Sequence, residues 1–269
     1  MLFKKVLHKL GINKSYTKRV QQSTFKVPIY NQLGFANFYT TEPWMEKMMA
    51  KLGSQDTKFL DIGANVGQTL MKWRSNFKTA PYLGVEPNLQ CAAYVDRLIK
   101  LNNLTACEVI PVAVTNETQF LELFTSSTDP SDIAGTTVPN FREGQNTKGK
   151  KIVGLGYQLF DEFNPDIIKI DVEGAEQLII EAIFCNPPKN NPVILCEILP
   201  AYNEQNTSRI TAQNKIVSIL HENNYQLFRI DTEKLSLNAI ETIEIHGDLN
   251  QCEYLFVHQD QIENTLSKF

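Results

Sequence analysis

An apolar run that carries an acid and breaks at once into a glycine turn leaves a chain few ways to fold. Residues 59–70 read Phe-Leu-Asp-Ile-Gly-Ala-Asn-Val-Gly-Gln-Thr-Leu. Phe59, Leu60 and Ile62 predict a short buried strand, and Gly63 to Gly67 a tight turn. Leu70, Trp73 and Phe77 then fall on one stripe at helical spacing. Strand, glycine turn and helix together present a helix N-terminus to an anionic or polar ligand.

The same rhythm recurs along the chain. Residues 82–88 (Tyr-Leu-Gly-Val-Glu-Pro-Asn) predict a second strand ending on a carboxylate, followed by a helix over 89–101 in which Asn88 can cap the first turn. Residues 108–114 form a third strand. Residues 166–172 form another that ends in acids, with a helix starting at Ala175, and 192–198 form the next. A helix lies around 209–223, and strands at 226–230 and 254–258 are joined too briefly for a crossover helix, which suits an antiparallel pair at one edge. Upstream, Thr41 is the expected N-cap of a helix over 43–52 with Pro43 in its first turn. The rhythm breaks once: 120–124 and 152–155 read as a hairpin insertion, and the polar stretch 125–151 is long enough to cover a ligand cleft. The fold class is α/β, a Rossmann-like, mostly parallel sheet with helices on both faces.

Charge divides the chain. Up to Thr41 there are seven basic residues and no acid, and the remainder carries a net charge of −11. Residues 1–40 therefore form a basic N-terminal extension to a domain over 41–269. Phe3, Val6, Leu7 and Leu10 alternate with lysines at helical spacing, so residues 1–20 suit peripheral contact with an anionic membrane surface. The run is too short to span a bilayer or to act as a secretory signal. Five scattered cysteines without a CxxC pair fit buried thiols in a reducing compartment, hence a cytoplasmic protein, peripheral at most at the inner membrane surface. An acidic body argues against nucleic acid as partner.

Asp61, Glu86, Asp171 and Glu197 all fall at or near strand C-termini, which share one edge in a parallel sheet. A dinucleotide needs a second glycine where Asn65 stands, and Asp61 would repel its pyrophosphate. S-adenosylmethionine fits better: an ammonium for Asp61, a carboxylate for the helix after Gly67, and two ribose hydroxyls for Glu86. The Gly63 backbone can lie against the nucleoside and small Ala113 can flank the adenine.

Three segments resemble the FkbM-type S-adenosylmethionine-dependent methyltransferases: 61–67 (Asp-Ile-Gly-Ala-Asn-Val-Gly), 84–88 (Gly-Val-Glu-Pro-Asn) and 169–176 (Lys-Ile-Asp-Val-Glu-Gly-Ala-Glu). The first two are shared widely among class I methyltransferases, and the third is more particular to this family. The resemblance implies a seven-stranded sheet with the last strand antiparallel, and O-methylation of a sugar, polysaccharide precursor or secondary metabolite. The cofactor-binding candidates are Asp61, Gly63, Ala64, Asn65, Gly67, Glu86, Asn88 and Ala113. Asp171 is the expected acceptor-orienting or general-base residue, with Glu173 and Glu197 near it to raise the proton affinity of one of the three. A divalent cation on Asp171 and Glu197 is the alternative route to an activated hydroxyl, as in catechol O-methyltransferase-like enzymes. Two other function classes stand beside methyl transfer: a catalytically silent scaffold that keeps the fold, and a nicotinamide-dependent oxidoreductase.

Overall fold

The computed structural model describes residues 14–30, 33–39, 41–126, 133, 135–139, 141 and 147–269. The amphipathic leader segment around Phe3 to Leu10 lies outside the described residues. Among the described residues, no helix is long and apolar enough to cross a membrane.

Strands β3 (Phe59–Ile62), β4 (Tyr82–Val85), β5 (Cys107–Ile110), β9 (Ile167–Ile170) and β10 (Val193–Glu197) run parallel as the apolar runs predict. With β11 (Tyr225–Asp231), β12 (Ser236–Ile240) and β13 (Glu253–His258) they make one sheet, in the order β12-β11-β13-β10-β9-β3-β4-β5. The order reverses between β3 and β9, the place where an open α/β sheet parts to admit a ligand.

Side-chain alternation divides the core cleanly. Phe59, Tyr82, Ile167, Val193, Leu195, Leu255 and Val257 face one layer, which holds the helices α1 (Pro43–Leu52), α2 (Gln68–Asn76) and α3 (Leu89–Leu101). Leu60, Ile62, Leu83, Val85, Ile168, Ile170, Ile194 and Phe256 face the other, with α4 (Gln158–Phe163), α5 (Glu176–Cys185) and α6 (Thr207–Glu222). Phe59 stacks on Trp73 of α2 at 4.6 Å between ring centroids, so the motif strand and its helix share an aromatic anchor.

Several expectations need correction. The sheet has eight strands where seven were expected, because β12 hairpins onto β11 and takes the antiparallel edge. Its alternation is weak and its residues are half-buried or exposed, so it leaves little pattern in the sequence. Strand β13 is therefore interior, antiparallel to both β10 and β11, and its continuous apolar run Tyr254–Val257 is buried on both faces. The single strand read over 108–114 is two: β5 ends at Ile110, and β6 (Ala113–Val114) pairs with β8 (Thr147–Leu155) in a separate three-stranded sheet with β7 (Gln119–Ser126). Pro111, which has no N–H to give a ladder, stands at the break. Thr41 does not cap α1. Glu42 occupies the N-cap in a left-handed conformation (φ 47°) without a side-chain cap, and its carboxylate pairs with buried Lys72 at 2.7 Å. Within the basic extension, β1 (Lys14–Val20) and β2 (Ser23–Ile29) form an unforeseen hairpin whose Val20, Phe25 and Val27 join the core beside α1 to α3. Cys185 is exposed, whereas the other four cysteines are buried thiols as expected.

Candidate active site

The turn after β3 is built by backbone needs. Gly63 has φ 90°, and a Cβ there would overlap the carbonyl oxygen of Asp171, which follows β9. Glycine thus lets the ends of two parallel strands meet, a role beyond the expected approach to a nucleoside. Gly67 (φ 75°) is the N-cap of α2 and receives a tight turn through its N–H to the Ala64 carbonyl at 2.8 Å. Asn65 takes the left-handed conformation between them, at φ 46°.

Glu86 closes this turn onto β4. One carboxylate oxygen accepts the Asn65 N–H and the other the Asn88 N–H, both at 2.8 Å. Asn88 caps α3 as predicted, its side chain accepting the Gln90 N–H at 3.1 Å. Burial, at 6% exposure, pushes the Glu86 carboxyl up to about 7, against the pull of those two amides. A cleft lies between the two sheets. Gly63, Asn65, Glu86, Ala113, Asp171 and Glu173 all border it. The Asn65 Oδ1 is buried and has no protein hydrogen-bond partner. Residues 133, 135 and 137 of the polar stretch line the opposite wall, and Thr136 Oγ1 donates to the Glu173 carbonyl at 2.7 Å. These residues of the stretch thus form part of the cleft's lining.

Asp61 does not border it. Its carboxylate is fully buried on the α1–α3 face, accepting the Tyr82 hydroxyl at 2.6 Å, with the Lys169 ammonium at 3.7 Å. The same ammonium donates to Asp171 at 2.9 Å. Burial would raise the Asp171 carboxyl, but Lys169 outweighs it and, with a hydrogen bond from Glu197, holds Asp171 below its ordinary value. Glu197 and Glu253 shift the other way, to about 9 and about 8, through burial first and then through neighbouring carboxylates, Asp171 among them. The proton thus rests on Glu197 and the charge on Asp171. Glu176, at the start of α5, accepts the Gly174 N–H at 2.8 Å, and burial pushes it to about 7.

A family model described as the methyltransferase FkbM domain matches residues 61–227, more than half of the chain. The chain belongs to the FkbM methyltransferase family. Among solved structures, an FkbM methyltransferase from Methylobacillus flagellatus KT aligns at 17% identity over 77% of this chain and 44% of its own, with a TM-score of 0.46. The chain thus spans less than half the length of that protein. TYW2 from P. horikoshii, in complex with MeSAdo, aligns at 12% identity over 92% of this chain and 71% of its own (TM-score 0.45). TYW2 from M. jannaschii, in complex with AdoMet, does so at 13% over 92% and 85% (TM-score 0.40). No curated protein matches the chain.

In this FkbM-family chain the sequence candidates divide into groups. Gly63, Asn65, Glu86, Ala113, Asp171 and Glu173 converge on the cleft, while Ala64, Gly67 and Asn88 shape the turns behind it. Asp61 and Glu197 sit on the far side of Asp171, and Glu197 borders a small void with Glu42, Lys169 and Glu253. The raised proton affinity expected at the acid cluster falls on Glu197, because Lys169 neutralises Asp171. Of the two acids expected to offer a divalent cation its place, Asp171 is paired with the Lys169 ammonium and Glu197 is raised by burial. Among the described residues, no group of three or more His, Cys, Asp or Glu side chains is arranged for a metal ion.

Lys169, Tyr82 and Glu253 were given no role from sequence. Alternation would have found them: Phe59 and Asp61, Ile167 and Lys169, Leu195 and Glu197 each occupy same-face positions, so charges at these positions must meet in one layer.

Proposed function

We propose that this chain transfers a methyl group from S-adenosylmethionine to a hydroxyl oxygen of a small-molecule or glycan acceptor. The observation that carries this reading is the join of two chemistries in one cleft. On one wall stand a buried carboxylate and an unpartnered amide oxygen, Glu86 and Asn65, and on the adjoining edge stands an ionised acid, Asp171.

The residues present fit the cofactor. Glu86 keeps unshared electron pairs on both oxygens beyond its two backbone bonds, as a pair of ribose hydroxyls requires. Asn65 Oδ1 offers a buried acceptor in the wall, and Ala113 leaves room for a flat ring. Asp61 is engaged by Tyr82 and Lys169 on the other side of the sheet, and the ammonium contact expected from it is not part of this reading. When bound, S-adenosylmethionine supplies an electrophilic methyl on a sulfonium that departs as a neutral thioether.

Asp171 holds the acceptor hydroxyl by accepting its proton in a hydrogen bond. With the cofactor bound, the acceptor oxygen would take the methyl as the S–C bonding pair returned to sulfur, and Asp171 would receive the hydroxyl proton. A weakly basic carboxylate suffices here, because the oxygen proton becomes strongly acidic only as the methyl arrives. Glu197, itself protonated, donates to Asp171 and helps fix its orientation. Ile133, Gly135 and Thr137, which line the cleft, narrow the space in which water could compete as acceptor.

The test is calorimetric titration of the full chain with S-adenosylhomocysteine and, separately, NAD, followed by labelled S-adenosylmethionine offered with fractionated glycans and small metabolites. Binding of the first ligand alone, with label in an alkali-stable ether, is expected. Binding of NAD instead would overturn the reading in favour of an oxidoreductase, and binding of neither would favour a silent scaffold.

A further inference from the structure

A lysine ammonium in the middle of a central strand is expensive unless its neighbours require it. Lys169 is 4% exposed, and its Cα is the cross-strand partner of Asp61 on β3. Its ammonium lies 2.9 Å from Asp171 Oδ2 and 3.7 Å from Asp61 Oδ1. The other Asp61 oxygen accepts the Tyr82 hydroxyl from β4. A continuous polar chain therefore runs across three strands beneath the cleft floor, from Tyr82 through Asp61 and Lys169 to Asp171.

We propose that Lys169 is a positioning residue for the methyl-transfer site, a buried ammonium that couples the cofactor strand β3 to Asp171 and fixes the orientation of the Asp171 carboxylate. This inference rests on the methyl-transfer reading for its purpose, though not for its geometry.

Among the described residues, no other ammonium forms an ion pair with Asp171. Lys72, on α2, is paired with Glu42 at the start of α1 and favours the Asp171 carboxylate only through its charge, without a hydrogen bond. Glu197 on β10 and Glu253 on β13 carry protons at neutral pH and bring no positive charge. Burial alone would lower the Lys169 ammonium, but Asp171 and Asp61 reverse that and hold it firmly protonated. Burial likewise raises Asp61, against Lys169 and the Tyr82 hydroxyl, which lower it. The chain Cα atoms, not flexible side-chain ends, set this arrangement, because register pairs Asp61 with Lys169 directly.

The experiment follows the Asp171 carboxyl itself. Full-length protein carrying ¹³C-carboxyl aspartate is titrated by NMR, with the Asp171 resonance assigned by its loss in Asp171→Asn. Lys169→Met should raise the Asp171 midpoint by at least one pH unit, a tenfold change in proton affinity, and Lys169→Arg should restore most of it. An unchanged midpoint in folded Lys169→Met protein would overturn the proposal. If Lys169→Met does not fold, Asp61→Asn decides: with Lys169 then left to Asp171, the midpoint must stay or fall, and a rise would overturn the proposal. S-adenosylhomocysteine calorimetry on the same wild-type sample separates the two readings. Loss of that binding would end the methyl-transfer reading while the Asp171 titration still decides the role of Lys169.

Discussion

Glu86 gives the sharpest quantitative handle on the cofactor half of the site. Its carboxyl is pushed up to about 7 by burial, so it changes charge in the range where binding is easily measured. A ligand that offers two hydroxyls takes the ionised form. An acid with that midpoint is roughly one-tenth ionised at pH 6 and roughly nine-tenths at pH 8, so affinity should rise about tenfold, ~1.4 kcal/mol, over that range. Glu86→Gln separates this from every other group. Gln places an amide opposite one of two backbone N–H donors now 2.8 Å away, leaving that donor unpaired whether or not ligand is bound. The unpaired donor lowers stability by ~1–3 kcal/mol without touching affinity. Binding itself loses a charge-assisted hydrogen bond, ~1.5–3 kcal/mol, or roughly 10- to 150-fold at pH 8. Its pH slope should vanish as well. The assay is calorimetric titration of S-adenosylhomocysteine between pH 6 and 8 at fixed ionic strength. A wild-type affinity that is flat with pH, or a slope that survives in Glu86→Gln, would refute the reasoning.

Four further outcomes are expected. Asp171→Asn should lose turnover while the dissociation constant for S-adenosylhomocysteine stays within a few-fold of wild type; turnover at the wild-type rate would remove Asp171 from the mechanism. Gly63→Ala should cost about 3 kcal/mol or more, from a φ of 90° and from overlap with the Asp171 carbonyl, and so lower the melting temperature by roughly 6 °C. Glu197 should make stability fall as pH rises, because the folded acid keeps its proton to about 9 while the unfolded one releases it near its ordinary value; Glu197→Gln should flatten that slope by one proton in pH-dependent denaturant melts. Removing residues 1–13, which leaves the β1–β2 hairpin whole, should weaken sedimentation with anionic vesicles, and unchanged sedimentation would exclude the leader as a membrane contact.

Strand–turn–helix patterns were legible because each is decided locally. The run Phe59–Ile62, the glycine conformations and the Asn88 cap follow from neighbours within a few residues. What escaped depends on pairing at long range. Strand β12 has no apolar alternation to announce it and exists because β11 offers it a ladder. The hairpin β1–β2 looks like a charged leader until Val20, Phe25 and Val27 find the helices. Asp61 was legible as an acid at a strand end but not in its direction. Its side chain follows Phe59 into the α1–α3 layer, and Tyr82 and Lys169 receive it there. The four strand-end acids do gather, yet they split between two sides of the sheet edge, and sequence spacing alone does not show which oxygen meets which cation.

The break at Pro111 has a consequence for how such a chain can change. Among the described residues, main-sheet hydrogen bonding ends at Ile110 and resumes at β9, so those between hang from the edge of the sheet without sharing its ladder. The three-stranded unit and the segment lining the cleft can therefore lengthen, shorten or be exchanged while the register that seats Gly63 against Asp171 stays fixed.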